Sequence, residues 1–256
     1  MYLLTEVQYP DAAKAAQGIA LDRVYPLSIS EKRQSGEIFA DRKENPRCYL
    51  FWHTCGFGFL AGTPDQAFLG EIAARMQNPP RTAHNGRLAL EMENNPALET
   101  FFQAYPAIEK KEQYQFTFAE TSSSANVSDT EIVPIAAENY KLLAGRITPP
   151  FSWDSETQFL QNGFGFCMFH AGTFAACAFS AGISRDYVDI GVETAADFRG
   201  KGYGKRVVSR MIAEILRRGQ TPLWQCSTQN EASLRLALAT GFKLHGKHPL
   251  YVVSAP

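Results

Sequence analysis

The stretch from Tyr187 to Gly219, YVDIGVETAADFRGKGYGKRVVSRMIAEILRRG, constrains the fold more than any other, because strand, glycine-rich turn and amphipathic helix follow one another without a break. Tyr187 to Glu193 alternates in strand fashion, with Val188, Ile190 and Val192 on one face and Asp189, Gly191 and Glu193 on the other. Arg199-Gly200-Lys201-Gly202-Tyr203-Gly204 then sets three glycines at alternate positions, which permits positive φ and leaves amide groups unshielded by a Cβ. Val207, Val208, Met211, Ile212, Ile215 and Leu216 recur at helical spacing, opposite Lys205, Arg206, Ser209, Arg210, Glu214, Arg217 and Arg218. Gly219 suits the position past the helix end, and Arg217 and Arg218 suit its negative pole.

A helix start with free N–H groups, flanked by Arg199 and Lys201, is suited to a phosphate or pyrophosphate. Two phosphate loops fail on spacing. The dinucleotide pattern G-x-G-x-x-G needs a glycine where Lys205 stands, and the P-loop needs a glycine at Arg199 and Ser or Thr at Arg206.

The form that fits is R-x-x-G-x-G at Arg199, Gly202 and Gly204, between a strand and a helix. Here the chain resembles the GNAT superfamily of acyl-CoA-dependent N-acyltransferases, whose loop of this form holds the coenzyme A pyrophosphate. Pro222-Leu223-Trp224-Gln225-Cys226 resembles the family's next strand, Asn230 and Ser233 the start of the following helix, and Gly241-Phe242 its closing G-F. The ordered set IGVET, RGKGYG, PLWQC, N-x-x-S, LA and GF is similar to the zwittermicin-resistance-type acetyltransferase subset and spans roughly residues 129 to 253. The resemblance implies an α/β (α+β) GNAT fold, a mixed central sheet flanked by helices, with acetyl-CoA as cofactor. It implies coenzyme contacts from Ile190, Val192, Arg199, Gly200, Lys201, Gly202, Tyr203, Gly204, Asn230 and Ser233. It also makes Glu193 the candidate general base and the Val192 N–H the candidate oxyanion donor. A departure accompanies these matches: where the family often places a tyrosine as general acid, this chain has Ala237. A thiol leaves more readily than an alkoxide, and Ser227, Tyr251 or a water are the open substitutes.

Composition sets outer limits. The 256 residues, 45% hydrophobic, suffice for one large domain or two ordinary ones. A formal charge of −1 supplies no general attraction to nucleic acid or to an anionic membrane, so neither is expected as a partner. Cys48, Cys55, Cys167, Cys177 and Cys226 form no C-x-x-C pair and are odd in number, so no metal site or disulfide framework is expected. A reducing cytoplasm fits this usage, and no run approaches the roughly 20 apolar residues of a membrane span. Cys226, beside Trp224 on a strand, reads as a buried hydrophobe rather than a nucleophile. His53 and His170 read as core or rim residues, and His84, His245 and His248 as turn residues.

The N-terminal half carries the same order of elements without the loop. Asp11 to Leu21 reads as a short helix, Cys48 to Gly62 as a buried hairpin about Thr54-Cys55-Gly56, and Gln66 to Met76 as a helix stopped by Asn78-Pro79-Pro80. Arg87 to Met92 reads as a strand, Pro96 to Tyr105 as a helix and Gln113 to Ala119 as a strand. That order suggests a degenerate GNAT-like repeat, in which LAGTPDQA replaces the glycine loop and coenzyme A is not expected to bind. The polar stretch TSSSANVSD, residues 121 to 129, divides the expected domains, 1–122 and 127–256. Beyond it are expected a strand at Glu131 to Ile135, helices at Ala136 to Leu143 and Ser155 to Gln161 (capped by Ser152 or Asp154), and a hairpin turning at Ala171-Gly172. Strand Leu223 to Ser227, helix Asn230 to Ala239 and a final strand pair, Phe242 to Leu244 with Leu250 to Val253, complete the chain. The functional expectation is an acetyl-CoA-dependent N-acetyltransferase acting on a small-molecule primary amine in a ternary complex, with homodimerisation left open. The alternative is a non-catalytic acyl-CoA-binding or regulatory module.

Overall fold

The computed structural model describes residues 1–20, 22–79, 87–119 and 131–253. The expected linker 121–129, Pro80, His84 and the Leu21 end of the first helix lie outside the described residues. In chain order the elements are β1 (Tyr2–Leu3), α1 (Tyr9–Gln17), α2 (Val24–Ser30), β2 (Gly36–Ala40), β3 (Cys48–His53), β4 (Phe57–Gly62), α3 (Gln66–Gln77), β5 (Ala89–Glu91), α4 (Pro96–Gln103) and β6 (Ile108–Phe118). Then come β7 (Ile132–Pro134), α5 (Ala137–Tyr140), α6 (Glu156–Asn162), β8 (Gly165–His170), β9 (Thr173–Ile183), β10 (Tyr187–Thr194), α7 (Tyr203–Arg217), β11 (Thr221–Ser227), α8 (Glu231–Ala239) and β12 (Phe242–Val253). The chain forms two compact units, Met1–Tyr114 with Gly246–Pro256, and Gln115–His245.

The first unit is a mixed sheet in the order β1-β2-β3-β4-β5-β12, antiparallel except for the parallel pair β4 and β5 that α3 connects. The strict period of 2 in β3 separates its two faces. Cys48, Leu50 and Trp52 pack with Phe68, Leu69, Ile72, Ala73 and Met76, the apolar stripe of α3. On the opposite face the Tyr25 ring of α2 meets the rings of His53, Phe57 and Phe59. Neither α2 nor β2 was expected. Polar residues within each short apolar run hide their periodicity, although Val24, Leu27, Ile29 and Ile38 are buried.

The second unit repeats that ladder in the order β6-β11-β10-β9-β8-β7, β6 belonging to it only by its Gln115–Phe118 end, with β10 and β11 as its parallel pair and α7 as the crossover. Ala171 and Gly172, at φ of 48° and 78°, make the two-residue turn between β8 and β9. The α7 residues Val207, Val208, Met211, Ile212 and Ile215 are buried. Gly219, at φ 72°, ends that helix in a Schellman pattern, its N–H donating to the Leu216 carbonyl and the Gln220 N–H to the Ile215 carbonyl. Two residues of α7 exchange their expected places. Leu216 is exposed, while Glu214 is buried and takes hydrogen bonds from Arg217 and Arg218 that hold its carboxyl down at about 2.

Three expectations are corrected. The helix of residues 136–143 is only the single turn α5, because the chain beyond it is drawn aside at Gly145, φ 116°, to meet a carboxylate described below. The cap of α6 is Ser155, whose hydroxyl accepts the Gln158 N–H at 3.1 Å, rather than Ser152 or Asp154. The final strand pair is one strand, β12, whose Leu250 and Tyr251 pair with Glu91 and Leu90 of β5. Pro249 is tolerated there because it need only accept, at its carbonyl, the Met92 N–H. His248 therefore lies in a strand, buried, rather than in a turn.

Candidate functional site

The site begins where the second unit's parallel pair comes apart. β10 and β11 pair from Tyr187–Thr221 to Asp189–Leu223, after which β10 runs on to Thr194 and β11 to Ser227 without pairing to each other. A bulge lies at the same point: between Asp189 and Ile190 the register on β9 steps from Gly182 to Ser180, so the extra residue is on β9. The resulting gap is rimmed by main-chain groups and by Gly191, where a Cβ would stand 2.5 Å from the Phe179 ring. Val192 and Glu193 lie past the divergence, and Ile190 immediately follows the last paired residue.

Next to the gap is the start of α7. Gly200 and Gly202 have φ of 74° and 85°, the left-handed region open to glycine, so the turn takes a shape that other residues would strain. Gly204 is required for a different reason: a Cβ there would be 2.8 Å from Thr194 Oγ1, so its absence lets the helix start close against the end of β10. No side chain caps the helix. Among the described residues, the N–H groups of Gly200, Gly202, Tyr203 and Gly204 form no main-chain hydrogen bond outside regular helix and strand pairing. Lys201 lies over the Phe198 ring at 5.6 Å, and the Tyr203 hydroxyl shares a 3.1 Å hydrogen bond with His170 Nδ1. His170 is thus an exposed rim residue tied to the loop. These donors, with a helix dipole behind them, face solvent as an anion cradle.

Glu193 connects the loop to the other side of the gap. Its Oε2 accepts the N–H groups of Arg146 and Ile147, at 3.1 and 2.9 Å, and its Oε1 is 3.7 Å from Arg199 Nη2. Arg199 also donates from Nε to the Thr194 carbonyl at 3.1 Å. Gly145 allows the approach, since a Cβ there would fall 2.5 Å from Glu193 Cγ. The sequence reading had no signal for Gly145, Arg146 and Ile147 as parts of the site, because they meet Glu193 only across 46 or more positions of chain. Asn230 and Ser233 have clear structural duties. Asn230 Oδ1 accepts the Ser233 N–H at 3.1 Å and caps α8, while Ser233 Oγ accepts the Trp224 indole N–H at 3.1 Å.

The family model described as GNAT acetyltransferase matches residues 27–251. The chain belongs to the GNAT acetyltransferase family. It is 30% identical over 99 residues to the uncharacterized N-acetyltransferase YdfB of Bacillus subtilis (strain 168), an alignment spanning 39% of this chain and 38% of that protein. The crystal structure of a GCN5-related N-acetyltransferase-like protein from Streptococcus suis 89/1591 has a similar fold, with TM-score 0.75 at 22% identity over 97% of this chain and 99% of that one. A tandem GNAT protein from the clavulanic acid biosynthesis pathway gives TM-score 0.62 at 10% identity, over 98% and 96% of the two chains.

Family enzymes transfer an acyl group from acetyl-CoA to an acceptor, so the GNAT frame raises the question of what protonates the departing thiolate. Ala237 is fully buried and offers nothing. Tyr251, one of the sequence-level substitutes, is buried in the first unit, its ring 4.8 Å from that of Phe102. Ser227 is exposed at the end of β11, and its oxygen accepts the Gln229 N–H, leaving its own proton to donate. Burial raises the Cys167 thiol to about 12 and pushes up that of Cys226, which keeps both protonated at neutral pH and unsuited to attack.

Proposed function

We propose that this GNAT protein is an acetyl-CoA-dependent N-acetyltransferase that moves the acyl group to a primary amine of a small molecule by direct attack in a ternary complex. The observation that carries the reading is the conjunction of an uncapped α7 start with a gap between β10 and β11 immediately beside it. A pyrophosphate on the amides of Gly200 to Gly204, steadied by Arg199 and Lys201, would lay the pantetheine arm along the free edge of β10 and aim the thioester at the gap. Ile190 and Val192 supply main-chain contacts to that arm, and Asn230 and Ser233 the α8 side of the coenzyme site. The Val192 N–H stabilises the tetrahedral oxyanion.

Glu193 takes the ammonium proton, directly or through a water, at Oε1, the oxygen that the Arg146 and Ile147 amides leave open. The neutral amine then attacks the thioester carbonyl, the carbon–sulfur bond breaks, and the thiolate leaves with help from Ser227 or solvent. The likeness to zwittermicin-resistance-type enzymes makes an aminated antibiotic or amino-acid-like acceptor the class to test first. The first unit, whose α3 start is capped by its own Asp65, takes no part in coenzyme binding. Incubation with acetyl-CoA and a panel of such amines should release free thiol in step with amide formation.

A second reading rests on Ala237, buried where a general acid is common: the protein binds acyl-CoA and regulates a partner without turnover. Coenzyme binding with no thiol release across the whole panel selects this reading over transfer.

A further inference from the structure

The C-terminal half of α7 gathers Arg210, Arg217 and Arg218 about the Glu214 carboxylate. Arg210, Glu214 and Arg218 follow one another at intervals of four, so they form a single stripe along the helix. That stripe is one wall of a cleft of about 250 Å³ in the second unit, and Phe159 and Leu160 of α6 with Phe164 and Phe166 form much of the rest. No lysine, histidine or second carboxylate lines it.

The two arginines of the wall are positioned by aromatic rings that belong to the same cleft. The Arg210 guanidinium carbon lies 4.4 Å from the centre of the Phe166 ring, and that of Arg218 lies 3.8 Å from the centre of the Phe164 ring. A guanidinium held over a ring keeps its edge N–H groups for other acceptors. Among the described residues the Arg210 guanidinium makes no hydrogen bond, and Glu214 Oε2 is 3.9 Å away. Arg218 donates only from Nε, to Glu214 Oε1 at 2.9 Å, which leaves its two Nη groups over. The side chains of Arg210 and Arg218 are 34% and 41% exposed, so a ligand can reach both.

Glu214 does not cancel this charge. Arg217, which is not part of the cleft, holds the carboxylate by two parallel hydrogen bonds, Nε to Oε2 at 2.9 Å and Nη2 to Oε1 at 2.7 Å. The acid is thus matched from outside the cleft, and Arg210 and Arg218 remain in excess. Unfilled cationic donors beside apolar walls suit an anion with a hydrocarbon body, and the volume, below that of pockets for drug-sized ligands, limits that body to one ring or a short chain.

We propose that this cleft binds a small aryl or alkyl carboxylate, with its carboxylate on the Arg210 guanidinium, its hydrocarbon body against Phe159 and Leu160, and Arg218 adding a second positive charge. The site uses neither the loop at residues 199–204 nor Glu193, so it does not depend on acyl transfer occurring.

The test uses the full chain and titrates benzoate, 3-phenylpropanoate and the neutral benzamide while the Leu160 methyl and Arg210 Nε–H signals are followed by NMR. Both reporters lie in the cleft, so a carboxylate bound at the α7 start is not mistaken for one bound here. At least one carboxylate should move both signals in a saturable way, benzamide should bind at least tenfold more weakly, and inorganic phosphate, which has no hydrocarbon body, should leave the Leu160 methyls unmoved. Arg210→Gln, which keeps the hydrogen bonds of Glu214, should weaken the carboxylate at least tenfold by the Leu160 signals. Leu160→Asp, a half-exposed position where the new charge repels the ligand, should abolish binding by the Arg210 signal and decides the matter if Arg210→Gln fails to fold. Equal binding of benzamide, a Leu160 response to phosphate, no response to either carboxylate, or undiminished binding in either variant would overturn the proposal, leaving the arginines as counter-charges to Glu214 alone.

Discussion

The helices α3 and α7 occupy corresponding places in the two units: each follows the fourth strand of its ladder and leads to that strand's parallel neighbour. Their beginnings are opposite in chemistry. At α3 the chain reads Gly62-Thr63-Pro64-Asp65, and the Asp65 carboxylate accepts the Phe68 N–H at 2.8 Å. The helix thus neutralises its own donors, and any phosphate would meet a negative charge. At α7 the chain reads Arg199-Gly200-Lys201-Gly202, the cap is a glycine in left-handed conformation, and cations flank the amides. One framework therefore carries both a closed and an open helix start, and the difference resides in about six residues. Fold alone does not decide whether a helix start is open to an anion; the cap does.

The largest effect should come from closing the open start. Gly202→Val places a β-branched residue at φ 85°, and the melting shift produced by acetyl-CoA, worth about 2.7 kcal/mol at 100-fold over its dissociation constant, should vanish. A retained shift would place the coenzyme elsewhere. Next is Glu193→Gln, which preserves volume but removes the proposed base and should slow transfer about 100-fold or more at neutral pH. An unchanged rate would reduce Glu193 to a tether for the Arg146–Ile147 turn.

Glu214 tests the rear of α7, where charge is satisfied internally. The folded carboxyl is held down at about 2, first by the Arg217 hydrogen bond, so its contribution is complete above the ordinary carboxylate range near 4.5 and is lost as pH falls toward 2. Glu214→Gln should cost on the order of 2 kcal/mol at pH 7 once screening at the exposed arginines is allowed for, and the gap from wild type should narrow between pH 4.5 and 2 in denaturant melts. A gap constant with pH would refute the ion pairing. The smallest effect is at the closed start. Asp65→Ala should lower stability by about 1 kcal/mol and yield no acetyl-CoA shift attributable to the first unit when combined with Gly202→Val. A shift restored in that double variant would mean that Asp65 alone separates the two helices.

Much of this was legible where the signal is local. The α3 stripe from Phe68 to Met76, the hairpin turn at Gly56, the Ala171-Gly172 turn and the glycine loop all depend on residues within one or two turns of each other, and each lies where the sequence put it. The site was legible in its loop and unreadable in its opposite wall. Nothing in Gly145-Arg146-Ile147 announces that its amides will bind Glu193. Likewise Leu216 and Glu214 follow helical periodicity imperfectly, because three arginines near Glu214 make its burial tolerable while Leu216 falls at the edge of the stripe.

By itself the sequence determined the strand, loop and helix around Arg199 to Gly204, since backbone freedom at glycine and a 3.6-residue apolar period are properties of neighbouring residues. Only the tertiary structure decided which groups meet across long separations: Glu193 with the 146–147 amides, Leu250 with Glu91, and His248 beside a buried carboxylate. Such meetings depend on strand register and on where parallel strands part, and these are fixed by the packing of the whole unit rather than by any local preference.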